Sequence, residues 1–250
     1  EGYLPAGIIL CSGSTSCGAF DDLSKILTLA KKENLFSHVD AAWSGSAMIC
    51  PEFRYLWEGI EDADSVVFNP HKWLGAQFDC SIQFLSDPDI QKNTLSITPE
   101  YLKTKDQDVT NFSELTIPLG RRFRALKLWF LLRAEGLENL RMMIRNHISW
   151  SEELCTKLES RNDIQIVTRP ILGLFTFSFM PQKIDNNKAT ENLLEIINNE
   201  GIIYLTGTKI DGKSVIRFQA GQFDMTRQDM ITAYKAIINA IKLSLKKSHP

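Results

Sequence analysis

Asp64-Ser65-Val66-Val67-Phe68-Asn69-Pro70-His71-Lys72-Trp73-Leu74 decides the fold. Ser65 to Phe68 is a β-branched and aromatic run too short for a helix, so it is predicted to be a buried strand. Pro70 stops it, because proline has no N–H to give to a ladder. The turn that follows delivers His71 and Lys72 beyond the strand's carboxyl end. Between that turn and the apolar Trp73 and Leu74, Lys72 is expected to be shielded from water. Burial lowers a lysine's pKa and makes its amine nucleophilic, as Schiff-base chemistry requires. The bland alternative is a lysine that snorkels at a strand end.

Upstream, Ala6 to Leu10 reads as another buried strand, and it runs into the small-residue turn Cys11-Ser12-Gly13-Ser14-Thr15-Ser16. Asp21 and Asp22 open a helix that carries Leu23, Ile26, Leu27 and Ala30 on one face, and Lys31-Lys32 close it. Phe36 to Val39 is the next strand, ending in Asp40-Ala41-Ala42-Trp43. There the carboxylate either faces a flat ligand that small residues let approach, or merely caps. Crossovers of a dozen or more residues join these three strands, so they are predicted to be parallel. Thr15, Asp40, Asn69, His71 and Lys72 should then converge at one sheet edge, where open α/β sheets bind ligands. Ser81 to Leu85 follows too closely for a crossover and is predicted to be antiparallel.

Downstream, residues 86–118 show no strong periodicity, and about 99–117 reads as a lid loop. Helix is expected from Leu119, and Gly136 punctuates it. A second helix, about Leu137 to Leu158, sets Leu140, Ile144, His147, Ile148 and Leu154 on one face, and His147 is expected to pack or cap there. Ile164–Val167, Leu174–Phe179, Ile202–Leu205 and Val215–Phe218 read as strands, the last two around an Asp211-Gly212 turn. Helices are expected at about Lys188–Asn199 and 226–246. The chain is thus read as α/β, with residues 1–134 in a larger unit and 135–250 forming a long connecting helix and a small α/β domain.

The 250 residues carry 28 Lys and Arg against 30 Asp and Glu, a net charge of −2. That balance gives no sign of nucleic acid or an anionic membrane as partner. The longest apolar run, Leu128 to Leu132, is far below a membrane span. The five cysteines, at 11, 17, 50, 80 and 155, include no C-x-x-C pair, so zinc is not expected. They read as reduced, buried thiols of a cytoplasmic protein. Opening at Glu1, almost at once in a strand, the chain reads as a piece of something longer.

Several ordered motifs resemble the pyridoxal-phosphate-dependent aromatic-L-amino-acid decarboxylases. They are Asp40-Ala41-Ala42, Cys50-Pro51-Glu52-Phe53-Arg54, Asn69-Pro70-His71-Lys72-Trp73, Phe78-Asp79-Cys80-Ser81, Pro99-Glu100-Tyr101-Leu102-Lys103 and Ile117-Pro118-Leu119-Gly120-Arg121-Arg122-Phe123-Arg124. The resemblance covers essentially the whole chain, densest from 36 to 134. It implies part of an aspartate-aminotransferase-like (fold type I) large domain plus the small C-terminal domain. It implies a carboxy-lyase that converts an aromatic L-amino acid into its amine and CO2 with pyridoxal 5'-phosphate. Lys72 would hold the cofactor as a Schiff base, and Asp40 would keep the pyridine nitrogen protonated. Ala42 would pack on the ring, Thr15 would lie near the phenolic oxygen, and Asn69 and His71 would sit at the phosphate and Schiff-base side. Tyr101 would return a proton to the substrate's α-carbon. The full-length protein would be a homodimer.

Departures qualify this. The family's Thr-Leu-Gly-Thr-Thr turn reads Cys11-Ser12-Gly13-Ser14-Thr15 here, and the tyrosine common after Asp-Ala-Ala is Trp43. Phe112 and Leu115 stand where aromatic decarboxylases usually show tyrosine and tryptophan. The resemblance begins about midway along the family's length, so the chain resembles a C-terminal half without the dimerisation segment or the ring-stacking histidine. Histidine decarboxylases share most of the motifs but tend to carry serine at the position of Gly120. Aldehyde synthases often carry phenylalanine at that of Tyr101. Outside these enzymes, the alternative is an inactive fragment or non-catalytic remnant.

Overall fold

The computed structural model describes residues 2–96, 111–182 and 184–247. A first sheet contains β1 (Gly7–Cys11), β2 (Phe36–Asp40), β3 (Ser65–Phe68) and β4 (Ile82–Leu85), in that spatial order. β1, β2 and β3 run parallel and β4 antiparallel, as crossover lengths predict. Helix α1 (Leu23–Lys32) fills the first crossover; the Asp22 carboxylate caps it by accepting the Lys25 N–H at 3.2 Å. The second crossover is a run of 3-10 turns between Ser44 and Asp62.

Alternation along the strands sends Leu10 and Val39 to one face, where they pack with Leu23 and Leu27 of α1, with Ala47, Cys50 and Trp57, and with Trp73. The opposite face is open among the described residues: Ile9 is 75% exposed, and Phe36 and Asp40 are exposed beside it. Sheets built from crossovers are normally covered on both faces.

Two elements depart from the sequence reading. Helix α2 (Pro88–Leu95) lies in the stretch read as lacking periodicity. It is set by local chemistry, with Pro88 in its first turn and the Asp87 carboxylate accepting the Asp89 N–H at 2.9 Å. Helix α3 (Arg124–Glu159) begins five residues later than expected, and it is kinked at Gly136, whose dihedrals (φ 72°, ψ 159°) are not helical, where the sequence placed the break between two helices. Its predicted stripe, Leu140, Ile144, His147, Ile148 and Leu154, is buried. Of the lid expected at about 99–117, residues 99–110 lie outside the described residues; Phe112–Leu115 forms a 3-10 turn.

A second, antiparallel sheet has the order β5 (Ile164–Thr168), β6 (Leu174–Phe179), β8 (Lys213–Gln219), β7 (Thr206–Ile210). Helices α4 (Asn186–Asn199) and α5 (Arg227–Lys247) pack with it around Phe175, Phe177, Leu193, Ile216 and Ile237. The strand predicted at Ile202–Leu205 is corrected to Thr206–Ile210. The Asp211-Gly212 turn pairs Ile210 directly with Lys213, so the strand must abut it. The Asn198 side chain meanwhile holds Leu205 outside the ladder, with bonds of 2.9 and 3.0 Å to its backbone.

α3 belongs to both cores, giving Ile144 and Ile148 to the first and Leu154, Cys155 and Leu158 to the second. The second unit also closes on the lysine turn at Gly75, where φ is +81° and an added Cβ would lie 2.0 Å from the Phe223 ring. Gly75→Ala is therefore expected to destabilise the chain by about 2–5 kcal/mol, from overpacking plus left-handed strain. Urea unfolding followed by circular dichroism measures it, and an unchanged midpoint would remove Gly75 from this contact.

Candidate active site

Parallel pairing sets Cys11 opposite Asp40 and Asp40 opposite Val67, which brings the carboxyl ends of β1, β2 and β3 level. The ladder continues past the strands. Ser12 N–H donates to Asp40 O (2.8 Å), Ala41 N–H to Val67 O (3.0 Å) and Asn69 N–H to Ala42 O (2.8 Å). Lys72 N–H then donates to Asn69 O at 2.9 Å and closes the turn. Asp40, Asn69, His71 and Lys72, four of the five residues expected to converge, thus share one edge, with Ala42 beside them. Thr15 is exposed in the neighbouring turn, where Gly13 and Ser14 both donate to Ala19 O (3.0 and 2.8 Å). Tyr101 lies outside the described residues.

Asp40 is exposed, and its Oδ1 accepts the Ala42 N–H at 2.9 Å; this is a local turn bond and not a helix cap, since the next turn starts after Trp43, and among the described residues Oδ2 has no partner. Lys72 corrects an expectation: it is exposed rather than shielded. The tight turn sends its side chain outward while Trp73 and Leu74 turn into the core at 2% and 3% exposure. Among the described residues the Lys72 amine has no ion pair or hydrogen bond. His71 is half-buried, its Nδ1 3.0 Å from Cys80 N and 2.7 Å from Cys80 O, and Phe78 meets its ring edge-on at 4.8 Å.

Behind this edge runs a buried aromatic chain. The Trp43 indole donates to the Gly13 carbonyl, Trp43 packs on Trp73 at 5.4 Å, and Trp73 Nε1 donates to His147 Nδ1 at 3.0 Å. An added Cβ on Gly13 would lie 2.7 Å from Ser44 Cβ, so only glycine permits this approach. Sequence reasoning found His147 as a packing residue but missed its partner, although a tryptophan beside the lysine and a lone histidine on an apolar stripe were both visible. All five cysteines are free thiols. Cys50, Cys80 and Cys155 are buried, but Cys11 and Cys17 are only half-buried, at the rim of the site. Burial and then the Asp40 carboxylate push the Cys11 thiol up.

This donor set fits pyridoxal 5'-phosphate. Asp40 offers a free carboxylate oxygen for a pyridinium N–H, Lys72 an unpaired amine for an aldehyde, and Ala42 a side chain small enough for a flat ring to approach.

Three parallel strands whose carboxyl edge presents an aspartate and a lysine are an arrangement that suits pyridoxal phosphate. The model of the pyridoxal-dependent decarboxylase conserved domain matches residues 1–180, and the chain belongs to that family. Pyridoxal phosphate is the family's cofactor. Tyrosine decarboxylase 2 of Narcissus pseudonarcissus is 42% identical over 229 residues, 87% of this chain and 46% of that protein. Aromatic-L-amino-acid decarboxylase of Mus musculus is 40% identical over 220 residues, 87% of this chain and 45% of that protein. Phenylacetaldehyde synthase of Arabidopsis thaliana is 40% identical over 229 residues, 87% of this chain and 47% of that protein. The solved structure of Oryza sativa TDC with PLP and tryptamine superposes with a TM-score of 0.92 at 29% identity, over 96% of this chain and 51% of that one. The chain therefore spans about half the length of the curated relatives it matches. No described helix is long and apolar enough to cross a membrane.

Burial pushes the His147 imidazole from 6.5 down to about 4. An unfolded chain takes up this proton as pH falls through 6.5, and the folded chain only near 4. Stability present above pH 6.5 is thus lost between the two values, about 3 kcal/mol in all. His147→Asn does not titrate, so it should show a correspondingly shallower loss over that window. Urea midpoints at pH 7, 5.5 and 4.5 for both proteins measure the difference.

Proposed function

We propose that the protein containing this chain decarboxylates an aromatic L-amino acid to its amine, and that the chain carries the lysine, aspartate and proton donor of that reaction. The observation that carries this is the single strip holding Asp40, Ala42, Asn69 and Lys72 at the carboxyl edge of three parallel strands. Bound pyridoxal phosphate supplies an electron-accepting ring for the electron pair left when the carboxylate departs as CO2. Lys72 binds the cofactor through its amine. Asp40, already oriented by the Ala42 N–H, holds a proton on the pyridine nitrogen. Ala42 leaves room for the ring, and Thr15 lies toward its phenolic oxygen. Asn69 and His71 fix the turn on the phosphate side. Tyr101 gives a proton to the substrate's α-carbon, which favours an amine over an aldehyde product. The relatives named for tyrosine and aromatic amino acids, with Gly120 in place of a larger residue, support an aromatic substrate over histidine.

In the longer protein we read residues 1–134 as part of the fold type I large domain and 135–250 as the connecting helix and small domain. The assembly is a cytoplasmic homodimer. The isolated chain is inactive in this reading: Lys72 and Asp40 stand open to water, where their electrostatic leverage on a bound ring is small.

Borohydride reduction in millimolar pyridoxal 5'-phosphate, followed by peptide mapping, is expected to place the pyridoxyl group on Lys72 in preference to other exposed lysines. Asp40→Asn should weaken that preference by at most about fivefold, since an ion pair open to water is worth about 1 kcal/mol or less. Preferential labelling of a different lysine would sink the assignment.

A further inference from the structure

The turn that presents Lys72 is held from behind by a residue outside the site. Trp73 follows the lysine directly and is 2% exposed, so its indole N–H needs an acceptor inside the protein. That acceptor is Nδ1 of His147, 3.0 Å away on α3, with the two rings within 9° of parallel. An indole nitrogen only donates, so Nδ1 carries the lone pair and the neutral imidazole keeps its proton on Nε2. Nε2 is buried and has no hydrogen-bond partner among the described residues.

A histidine chosen only to fill space would be a poor choice here, since leucine would fill it without leaving a buried N–H unpaired. His147 is 1% exposed, so it meets neither solvent nor ligand. What it does is hold Trp73. The turn's own bonds, Lys72 N–H to Asn69 O (2.9 Å), Gly75 N–H to Lys72 O (3.3 Å) and Ala76 N–H to Pro70 O (3.0 Å), give it shape but do not attach it to α3.

We propose that His147 is a positioning residue for Lys72: by accepting the Trp73 indole N–H it fixes the turn on which the lysine amine stands. The proposal rests on the reading of Lys72 as the cofactor-binding amine. Three variants separate positioning from packing. His147→Leu keeps the bulk and removes the acceptor, Trp73→Phe removes the donor, and His147→Asn restores an acceptor near the Nδ1 position.

The readout is the borohydride-trapped pyridoxyl label on Lys72, relative to that on a lysine remote in the fold such as Lys25. His147→Leu and Trp73→Phe are expected to lower this ratio by about tenfold, which is 1.4 kcal/mol. His147→Asn should stay close to the unmodified chain, and the double variant His147→Leu/Trp73→Phe should be no worse than Trp73→Phe alone. A merely structural role would move the urea midpoints and leave the ratio unchanged, which overturns the proposal. If His147→Leu does not fold, equal ratios for Trp73→Phe, His147→Asn and the unmodified chain overturn it as well. A Trp73 indole proton that exchanges with solvent as fast as free indole would show that the bond is absent. Failure of the unmodified chain to prefer Lys72 would instead refute the cofactor reading beneath it.

Discussion

Three indole N–H groups lie inside the first core, and a buried N–H without an acceptor costs its desolvation; among the described residues Trp57 bears that cost, while Trp43 and Trp73 are paired. The Trp43 indole takes the Gly13 carbonyl, and the Trp73 indole takes the His147 imidazole. Because the rings also pack on each other at 5.4 Å, satisfying one constrains the other. The turn after β1, the turn after β2 and the turn after β3 are thereby fixed to one another and to α3. The chemistry-bearing residues on the outer side of those turns inherit positions that the core has already set, the usual requirement for a preorganised site.

This division of labour explains what could be read from the sequence. Lys72 and Trp73 are neighbours, yet one is exposed and the other buried, because the tight turn sends the lysine outward before Trp73 and Leu74 re-enter the core. Local sequence gave both an apolar setting and so expected Lys72 to be shielded. The parallel order of β1, β2 and β3 was legible because crossover length constrains it physically. The buried stripe of α3 was legible because its 3.6-residue period is strong. Helix α2 was not, since it rests on a cap and a first-turn proline and buries no residue. The β7 boundary was misplaced because Ile202 to Leu205 is as apolar as a strand, while the bonds that exclude it come from the Asn198 side chain at the end of the preceding helix, which periodicity does not register.

The open face of the first sheet bears on how the site works. Ile9 and Phe36 lie on the same side of the ladder as Asp40 and are exposed with it. An aspartate in water exerts little pull on a ring nitrogen, because the interaction scales inversely with the local dielectric. The residues that name the chemistry are therefore in place, while the shielding that would give them strength is absent from the described residues. Relatives about twice as long leave room for a covering layer.

The departures at Ser12 and Trp43 meet at one place. Ser44 Oγ donates to the Ser12 carbonyl and Trp43 Nε1 to the Gly13 carbonyl, while Ser12 N–H donates to Asp40 O. Three consecutive bonds thus clamp the Ser12-Gly13 backbone to the segment that carries Asp40. Ser12 is fully buried, with its hydroxyl 3.4 Å from that of Ser44, so a leucine there would have to displace this polar contact. A serine at 12 and an indole at 43 are mutually consistent: both make the turn that bears Thr15 a rigid extension of the β2 end. Ser12 acts there through its hydroxyl beside Ser44 and Trp43 through the Gly13 carbonyl, so the two departures hold the same short stretch of backbone from different sides.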